Sequence, residues 1–466
     1  MTKRAGTEAC CKDVVKIAEN EVDSNPRATR AMRELAAVRE ADAEVGCHKL
    51  FRRHGYAVNI PISWTCLGES RDMKAFPWIK LSAWAQYLMD CDLLPRQLVG
   101  VSSWTKMQSV LQEFWNRFRG VDPDHPVFSL VENSEVCLDR LVPYCTHSDE
   151  GRTFRDGALW VLNAHGVLGR GTVSYLKLGK HRANLRDNPQ GLNYVGNTWG
   201  THCLIATMLK SVATPEAISK LVSEFAKDAH DLMHNGVTAS TSGRHIWMVH
   251  FATKGDLPAL AKLAKFTRTF GHAPKAASSR KPCEGVCWLC LAGQEQGDSL
   301  DRVALPYEDV SPQPVWRHTI RKTLPWVDTP SILEGLELDD ERSITFFQTD
   351  FFHNVHLGCL KAFCSSALVT VVEAEPPLPC MAHCGSVDAK FAVLTDLYQE
   401  YFRSRKRKPY ISELSRDTCC WPQASACPAA KWNKGQATTE IARFLDWLGD
   451  RTLAGTDCRK LKSIAA

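Results

Sequence analysis

The chain predicts an α/β fold, a mixed sheet flanked by helices, and three observations carry that expectation. Short β-rich runs follow one another at Arg140–His147 ("RLVPYCTH"), Ala158–Gly166 ("ALWVLNAHG") and Gly171–Leu178 ("GTVSYLKL"). A long amphipathic helical pattern then opens at Thr214–Pro215. Next comes "RHIWMVHFATKGDLPALAKLAKF", Arg244–Phe266, an apolar strand that breaks at Gly255–Asp256 straight into a Pro-led helix. The order is strand, strand, strand, helix, strand, helix, which is a hairpin-linked set followed by a crossover.

Each element has its own local justification. Upstream of the sheet, Met107, Val110, Leu111, Phe114 and Phe118 recur at helical spacing, with Ser103 as cap and Gly120 past the end. The aromatics of that helix are expected in the core. The polar stretch "SDEGRTFRDG" after His147 reads as a turn between the first two strands. In the helix after the third strand, Thr214 caps, Pro215 suits the first turn, and Ile218, Leu221, Val222 and Phe225 form one face that ends by Gly236. The fourth strand spans His245–Ala252, and its helix starts at Leu257. Later, Phe391, Leu394, Tyr398, Tyr401 and Phe402 mark one helix, and Ile441, Phe444, Leu445 and Leu448 another.

The pattern divides the chain into five segments. Residues 1–45 read as a charged helical or disordered arm and 46–134 as a helical N-terminal domain. Residues 135–282 read as the α/β core, 283–385 as a Cys/His-containing insertion, and 386–466 as a helical C-terminal region. At 466 residues with 44% hydrophobic content, there is ample material for more than one buried core. A net charge of +5 and pI of about 8.3 permit nucleic-acid binding without arguing for it. There is no run of ~18 apolar residues and no secretory signal, so the expected setting is nuclear or cytoplasmic, with no membrane. The nineteen cysteines are then reduced thiols, most of them acting as small buried hydrophobes.

Asp256 precedes an apolar, Pro-containing first turn, which is ordinary capping chemistry worth about 1 kcal/mol. It also stands at the carboxyl end of a strand, where α/β sheets gather ligands and metals. Asp149 is a turn residue unless the sheet brings it beside Asp256; Asp139 and Asp156 are its rivals. In "QTDFFHNVHLG", Asp350 and His353 are three apart, as are His353 and His356, so each pair shares a helix face. "KPCEGVCWLCLAG" places Cys287 and Cys290 at zinc-knuckle spacing, with Cys283 as a third thiolate. The remaining Zn2+ ligands are then His353 and His356, or the Cys380/Cys384 pair of "CMAHC". Arg403, Arg405, Lys406, Arg407 and Lys408 form a basic strip that suits nuclear import or phosphate contact; a solvated helix end explains it equally well.

Together these motifs resemble those of DDE transposases of the CACTA (En/Spm) and Plavaka-like group. "DFFHNVHLG" is similar to their Asp-x-x-His-Asn-x-x-Leu-Gly signature. "KGDLPALAKLAKF", followed by a Cys-x-x-Cys, is similar to the segment bearing their second catalytic aspartate, and the order of the motifs agrees. The resemblance covers roughly residues 135–370 through short motifs. It implies an RNase H-like core, two Mg2+ ions held by clustered carboxylates, and cleavage or strand transfer on DNA. Asp256 matches a catalytic motif residue, Asp149 is assigned by its place after the first strand, and Asp350 with His353 matches the Asp-x-x-His. DNA is the expected partner, and a homo-oligomer is allowed. The family's third acid has no motif here, with Glu400, Glu413 and Glu440 all open to the role. A truncated or domesticated copy is therefore also expected, as is the alternative of an inactive, zinc-stabilised nucleic-acid-binding or protein-interaction protein.

Overall fold

The structure, a computed structural model, describes residues 10–54, 58, 60–133, 135–152, 157–169, 191–192, 202–273, 283–297 and 301–453. The Gly171–Leu178 strand candidate and Asp156 lie outside the described residues. Within them the α/β expectation holds: a mixed sheet is flanked by helices.

Five strands form the central sheet: β1 (Leu141–Arg152), β2 (Ala158–Gly166), β3 (Cys203–Leu209), β4 (His245–Gly255) and β5 (Phe347–Thr349). Their spatial order is β5-β4-β1-β2-β3. β1 and β2 pair antiparallel, as do β2 and β3, whereas β4 runs parallel to β1 and β5 parallel to β4. A two-residue strand, Val237–Thr238, pairs with the start of β4. Meander and crossover thus meet at the β1/β4 junction, with both strands pointing the same way.

β1 is longer than its sequence suggests. Ser148 to Arg152 have turn-forming side chains, yet they continue the ladder, with Asp149 opposite Val161 and Arg152 opposite Ala158. Cross-strand pairing with the apolar β2 overrides local turn propensity here. Asp149 is therefore inside a strand rather than just past one. The third strand of the sheet is β3, whose alternating buried and exposed residues place Ile205 and Met208 in the core.

The helices numbered from the N-terminus are α1 (Cys11–Ser24), α2 (Arg30–Ala36), α3 (Ala43–Arg53), α4 (Leu81–Asp90) and α5 (Trp104–Arg119). The first three form a small unit around Val15, Ala18, Leu35, Ala43, Cys47 and Leu50. The expected solvated arm is thus a packed unit, because α1 and α3 each carry an apolar face, and its boundary falls after Arg53 rather than at 45. Nor is 46–134 a separate domain. Leu81, Leu88, Met107, Leu111 and Trp115 share one core with Tyr144, Trp160 and Met248 of the sheet. Trp115 is fully buried and donates its indole N–H to the Leu141 carbonyl at 2.8 Å, tying α5 to the start of β1. α5 itself is as expected, capped by Ser103, although Trp115 takes the innermost position and Phe114 and Phe118 are only partly buried.

After β3 come α6 (Pro215–His234), capped by Thr214, and α7 (Leu257–Ala264), which starts directly from β4. Ile218, Leu221, Val222 and Phe225 of α6 are buried against the sheet. The Cys/His segment is not a free-standing insertion. It packs Trp326, Ile332 and Ile344 into the same core and supplies edge strand β5.

Beyond the sheet, α8 (Leu360–Val372), α9 (Val387–Ser404) and α10 (Gly435–Leu448) build a second core from Leu368, Phe391, Tyr398, Trp421, Ile441 and Phe444. The expected boundary at 385/386 moves back accordingly, since α8 belongs with the C-terminal helices. One helix among the described residues, Phe352–Val372, is long and apolar enough to cross a membrane. It carries His353 and His356 at one end, and Cys364, Leu368, Val371 and Val372 are buried in the second core, as in the central helix of a folded bundle.

Candidate functional site

The parallel β1/β4 ladder ends with Ser148 opposite Gly255, and Asp149 and Asp256 are the next residues on either chain. Between them the strands run very close: a Cβ at Gly255 would lie 2.7 Å from the Ser148 carbonyl oxygen. Glycine at 255 therefore lets the two aspartate-bearing backbones approach. On the other flank of β4, Thr349 pairs with Gly255, and the Asp350 N–H donates to the Gly255 carbonyl at 2.9 Å. Three adjacent parallel strands thus deliver Asp149, Asp256 and Asp350 to one end of the sheet.

Asp149, Asp256 and His353 each turn one ligand atom toward a common point, with those atoms all within 4.8 Å of one another. All three residues are partly buried. Asp256 caps α7 as the sequence suggests, accepting from the Ala259 N–H at 2.8 Å. A carboxylate has a second oxygen, so capping and ion binding are compatible.

Asp350 stands one step back. Its Oδ2 accepts from His353 Nδ1 at 2.8 Å and lies 3.9 Å from His147 Nε2, and its Oδ1 accepts from the Phe352 N–H at 2.7 Å. The imidazole of His147, then that of His353 and the Phe352 N–H, hold the Asp350 carboxyl well below the usual carboxylate range against the opposing effect of burial. An anionic Asp350 on Nδ1 orients the His353 ring beside the two aspartates. Asp350 is therefore an orienting residue, and His353 takes the position beside the two aspartates. This pairing is the i,i+3 face expected from the sequence.

The turn that holds His353, Phe352–Cys359, is wound wider than an α-helix and is non-helical at Gly358. It is braced by the N-terminus of α10, where a Cβ at Gly435 would fall 2.3 Å from the Phe352 ring and 3.3 Å from His356 Cβ. His356 stacks on Phe352, with centroids 5.6 Å apart, and its Nδ1 is buried without a hydrogen-bond partner.

The sheet face bearing Asp149 also carries His147 and Cys145, by strand alternation, with Lys254 opposite His147. A cavity of about 670 Å³ is lined by Cys145, Lys254, Gln348, His125, Arg321 and Arg342 among others, and by none of Asp149, Asp256 and His353. His147 and Lys254 escaped the sequence reading because only strand register brings them to the site.

Several assignments change. His353 belongs with the aspartates and not with the cysteines, and His356 packs against α10. Cys287 and Cys290 keep a thiol–thiol hydrogen bond, while Cys283 Sγ lies 3.8 Å from the His272 carbonyl and joins no group of three ligands among the described residues. That hydrogen bond, the Leu289 N–H and Arg268 pull the Cys287 thiol down, and Cys290 is pushed up in consequence. No glutamate among the described residues joins the aspartate site. Glu440 instead accepts from the Tyr410 N–H and from Gln436, and Glu400 pairs with Arg451. The cations Arg403, in the last turn of α9, and Arg405, Lys406, Arg407 and Lys408, past its end, are exposed, with Arg405 stacked on Tyr401 and Arg407 3.9 Å from Glu440. All eighteen described cysteines are free thiols.

Comparison with protein-family models, with curated proteins and with solved structures finds no match to this chain.

Proposed function

We propose that the chain carries a divalent-metal-dependent phosphodiester-cleaving centre of the RNase H-like, DDE-transposase type, acting on DNA. The observation that carries this reading is the convergence of Asp149, Asp256 and His353 at the ends of adjoining parallel strands. The strand order β3-β2-β1-β4-β5, with its first three strands antiparallel and its last two parallel to β1, supports it, being the arrangement of an RNase H-like sheet.

The donors fit the ion that the reading requires. Two carboxylates and one imidazole suit Mg2+ or Mn2+, whose preference is for oxygen with tolerance of imidazole. Asp149, Asp256 and His353 would hold it, with Asp350 keeping the imidazole oriented. When bound, such an ion activates water or a 3′-hydroxyl and stabilises the leaving oxygen. The remaining work falls to the chain itself. Lys254 supplies positive charge on the face that leads to the carboxylates, and the cavity beside it has room for a backbone segment. The exposed strip Arg403–Lys408 suits more distant phosphates, or nuclear import.

A second reading has one observation in its favour. The Cys-x-x-Cys turn of Cys287 and Cys290, in which Cys287 Sγ accepts from the Leu289 N–H at 3.4 Å, has the spacing of a Zn2+ knuckle, as in an inactive, zinc-stabilised DNA-binding or interaction protein.

Nicking of supercoiled DNA by the full chain, with Mg2+ or Mn2+ against EDTA, separates the two. The proposed centre gives ion-dependent nicking that Asp149→Asn and Asp256→Asn each abolish. DNA binding with no nicking under either ion favours the second reading, and nicking that survives both substitutions overturns the first.

A further inference from the structure

The N-terminal unit has a second group of ligand-bearing side chains, far in sequence from the aspartate site. Cys11 is the first residue of α1, while Glu44 and His48 are one turn apart on α3, with His48 Nε2 3.8 Å from Glu44 Oε1. Ligand atoms of Cys11, Glu44 and His48 all lie within 4.8 Å of one another. Cys47, on the same turn of α3, is buried beneath them. Its Sγ donates to the Cys11 carbonyl oxygen at 3.7 Å and is not one of the mutually close ligand atoms.

We propose that Cys11, Glu44 and His48 form a zinc site that clamps the start of α1 to α3.

The donor chemistry selects the ion. A thiolate, an imidazole and a carboxylate, with a fourth position for water, suit tetrahedral Zn2+, and the thiolate disfavours Mg2+ and Ca2+ as occupant. Glu44 and His48, four residues apart, put two donors on one face of α3, leaving the third to come from another element. Cys11 supplies it as the first residue of α1.

The unit also has a reason to need a clamp. Its buried apolar residues are Val15, Ala18, Leu35, Ala43, Cys47 and Leu50, two of them alanines. A three-helix unit with so thin a core gains from a metal that ties its ends together. The nearby ion pairs of Lys12 and Lys16 with Glu40 are exposed and contribute little to that task.

The test is Co2+ binding to the full chain under a non-thiol reductant, followed by visible and near-ultraviolet absorption, with zinc content measured after dialysis. The wild-type chain is expected to show thiolate-to-cobalt charge transfer and tetrahedral d–d bands that zinc abolishes. Cys11→Ser and the exposed His48→Ala should each lower the bound zinc by about one ion per chain, while Cys66→Ser, at an exposed cysteine, leaves it unchanged. Cys287→Ser serves as the control for thiolates elsewhere, and should not remove the Cys11-dependent band. The proposal is overturned if Cys11→Ser and His48→Ala both retain the wild-type cobalt spectrum and zinc content. It is equally overturned if the cobalt spectrum vanishes in Cys287→Ser alone.

Discussion

Asp149 and Asp256 each stand one residue beyond the Ser148–Gly255 pair that ends the parallel β1/β4 ladder, so register alone makes them neighbours. Asp256 carries two duties, capping α7 and facing Asp149, and two substitutions separate them. Asparagine caps nearly as well as aspartate, so Asp256→Asn is expected to leave the melting temperature nearly unchanged while divalent-ion binding is lost. Asp256→Ala removes the cap as well and should lower stability by about 1 kcal/mol. Equal melting temperatures for the two variants would show that the cap contributes nothing.

Asp350 acts through His353, which is a claim about affinity rather than about contact with the ion. Asp350→Asn should weaken Mn2+ binding by ~10–100-fold, the usual loss on removing a partner of a metal-bound histidine. His353→Ala should weaken it further. The carboxyl is held below its unfolded value, so the stability it supplies is complete above about pH 4 and is lost as the pH falls below that. Denaturant titrations of wild type and Asp350→Asn should therefore converge in strong acid and differ by a full, constant gap above about pH 4. A constant gap at every pH would contradict this.

Burial holds three imidazoles neutral: His125 at about 4, and His165 and His250 at about 3. Unfolded histidine titrates near 6.5, so the unfolded chain binds more protons below that value. Folding stability should be flat above about pH 6.5 and fall as the pH drops toward 4, by up to ~1.4 kcal/mol per pH unit for each histidine. Urea midpoints between pH 7.5 and 4.5 test the slope. His125→Asn can still cap the helix at Pro126–Glu132 and should make the slope shallower, whereas an unchanged slope would exclude His125 as a contributor.

Gly435 is where the C-terminal helices touch the site, because its missing Cβ leaves room for the Phe352 ring. Gly435→Val should cost about 1–3 kcal/mol through overpacking and shift the turn that carries His353, so ion affinity falls with stability. Thermal melting and Mn2+ titration of the same preparation would reveal it. Full affinity together with full stability would mean that the turn is held from elsewhere.

Much of this was legible in the chain because local rules apply where local rules act. Ser103, Thr214 and Asp256 all cap the helices that their spacing announces, and the Asp350–His353 face forms as drawn. What was not legible depends on partners distant in sequence. β1 extends through turn-forming residues because β2 pairs with them. β5 is too short for a periodic signal and exists because β4 offers an edge. His353 leaves the cysteines for the aspartates because β5 and its turn deliver it to the end of β4. The N-terminal arm folds because α1 and α3 share a face, a match visible only once both helices are placed.

The most direct measurement is Mn2+ binding to the full chain, followed by electron paramagnetic resonance, for wild type, Asp149→Asn and Asp256→Asn. A shared site at the ends of β1 and β4 requires a bound ion in the wild type that either substitution removes, with far-ultraviolet circular dichroism unchanged. Equal binding in all three proteins would mean that the two aspartates hold no ion in common, leaving Asp256 as the cap of α7 and nothing more.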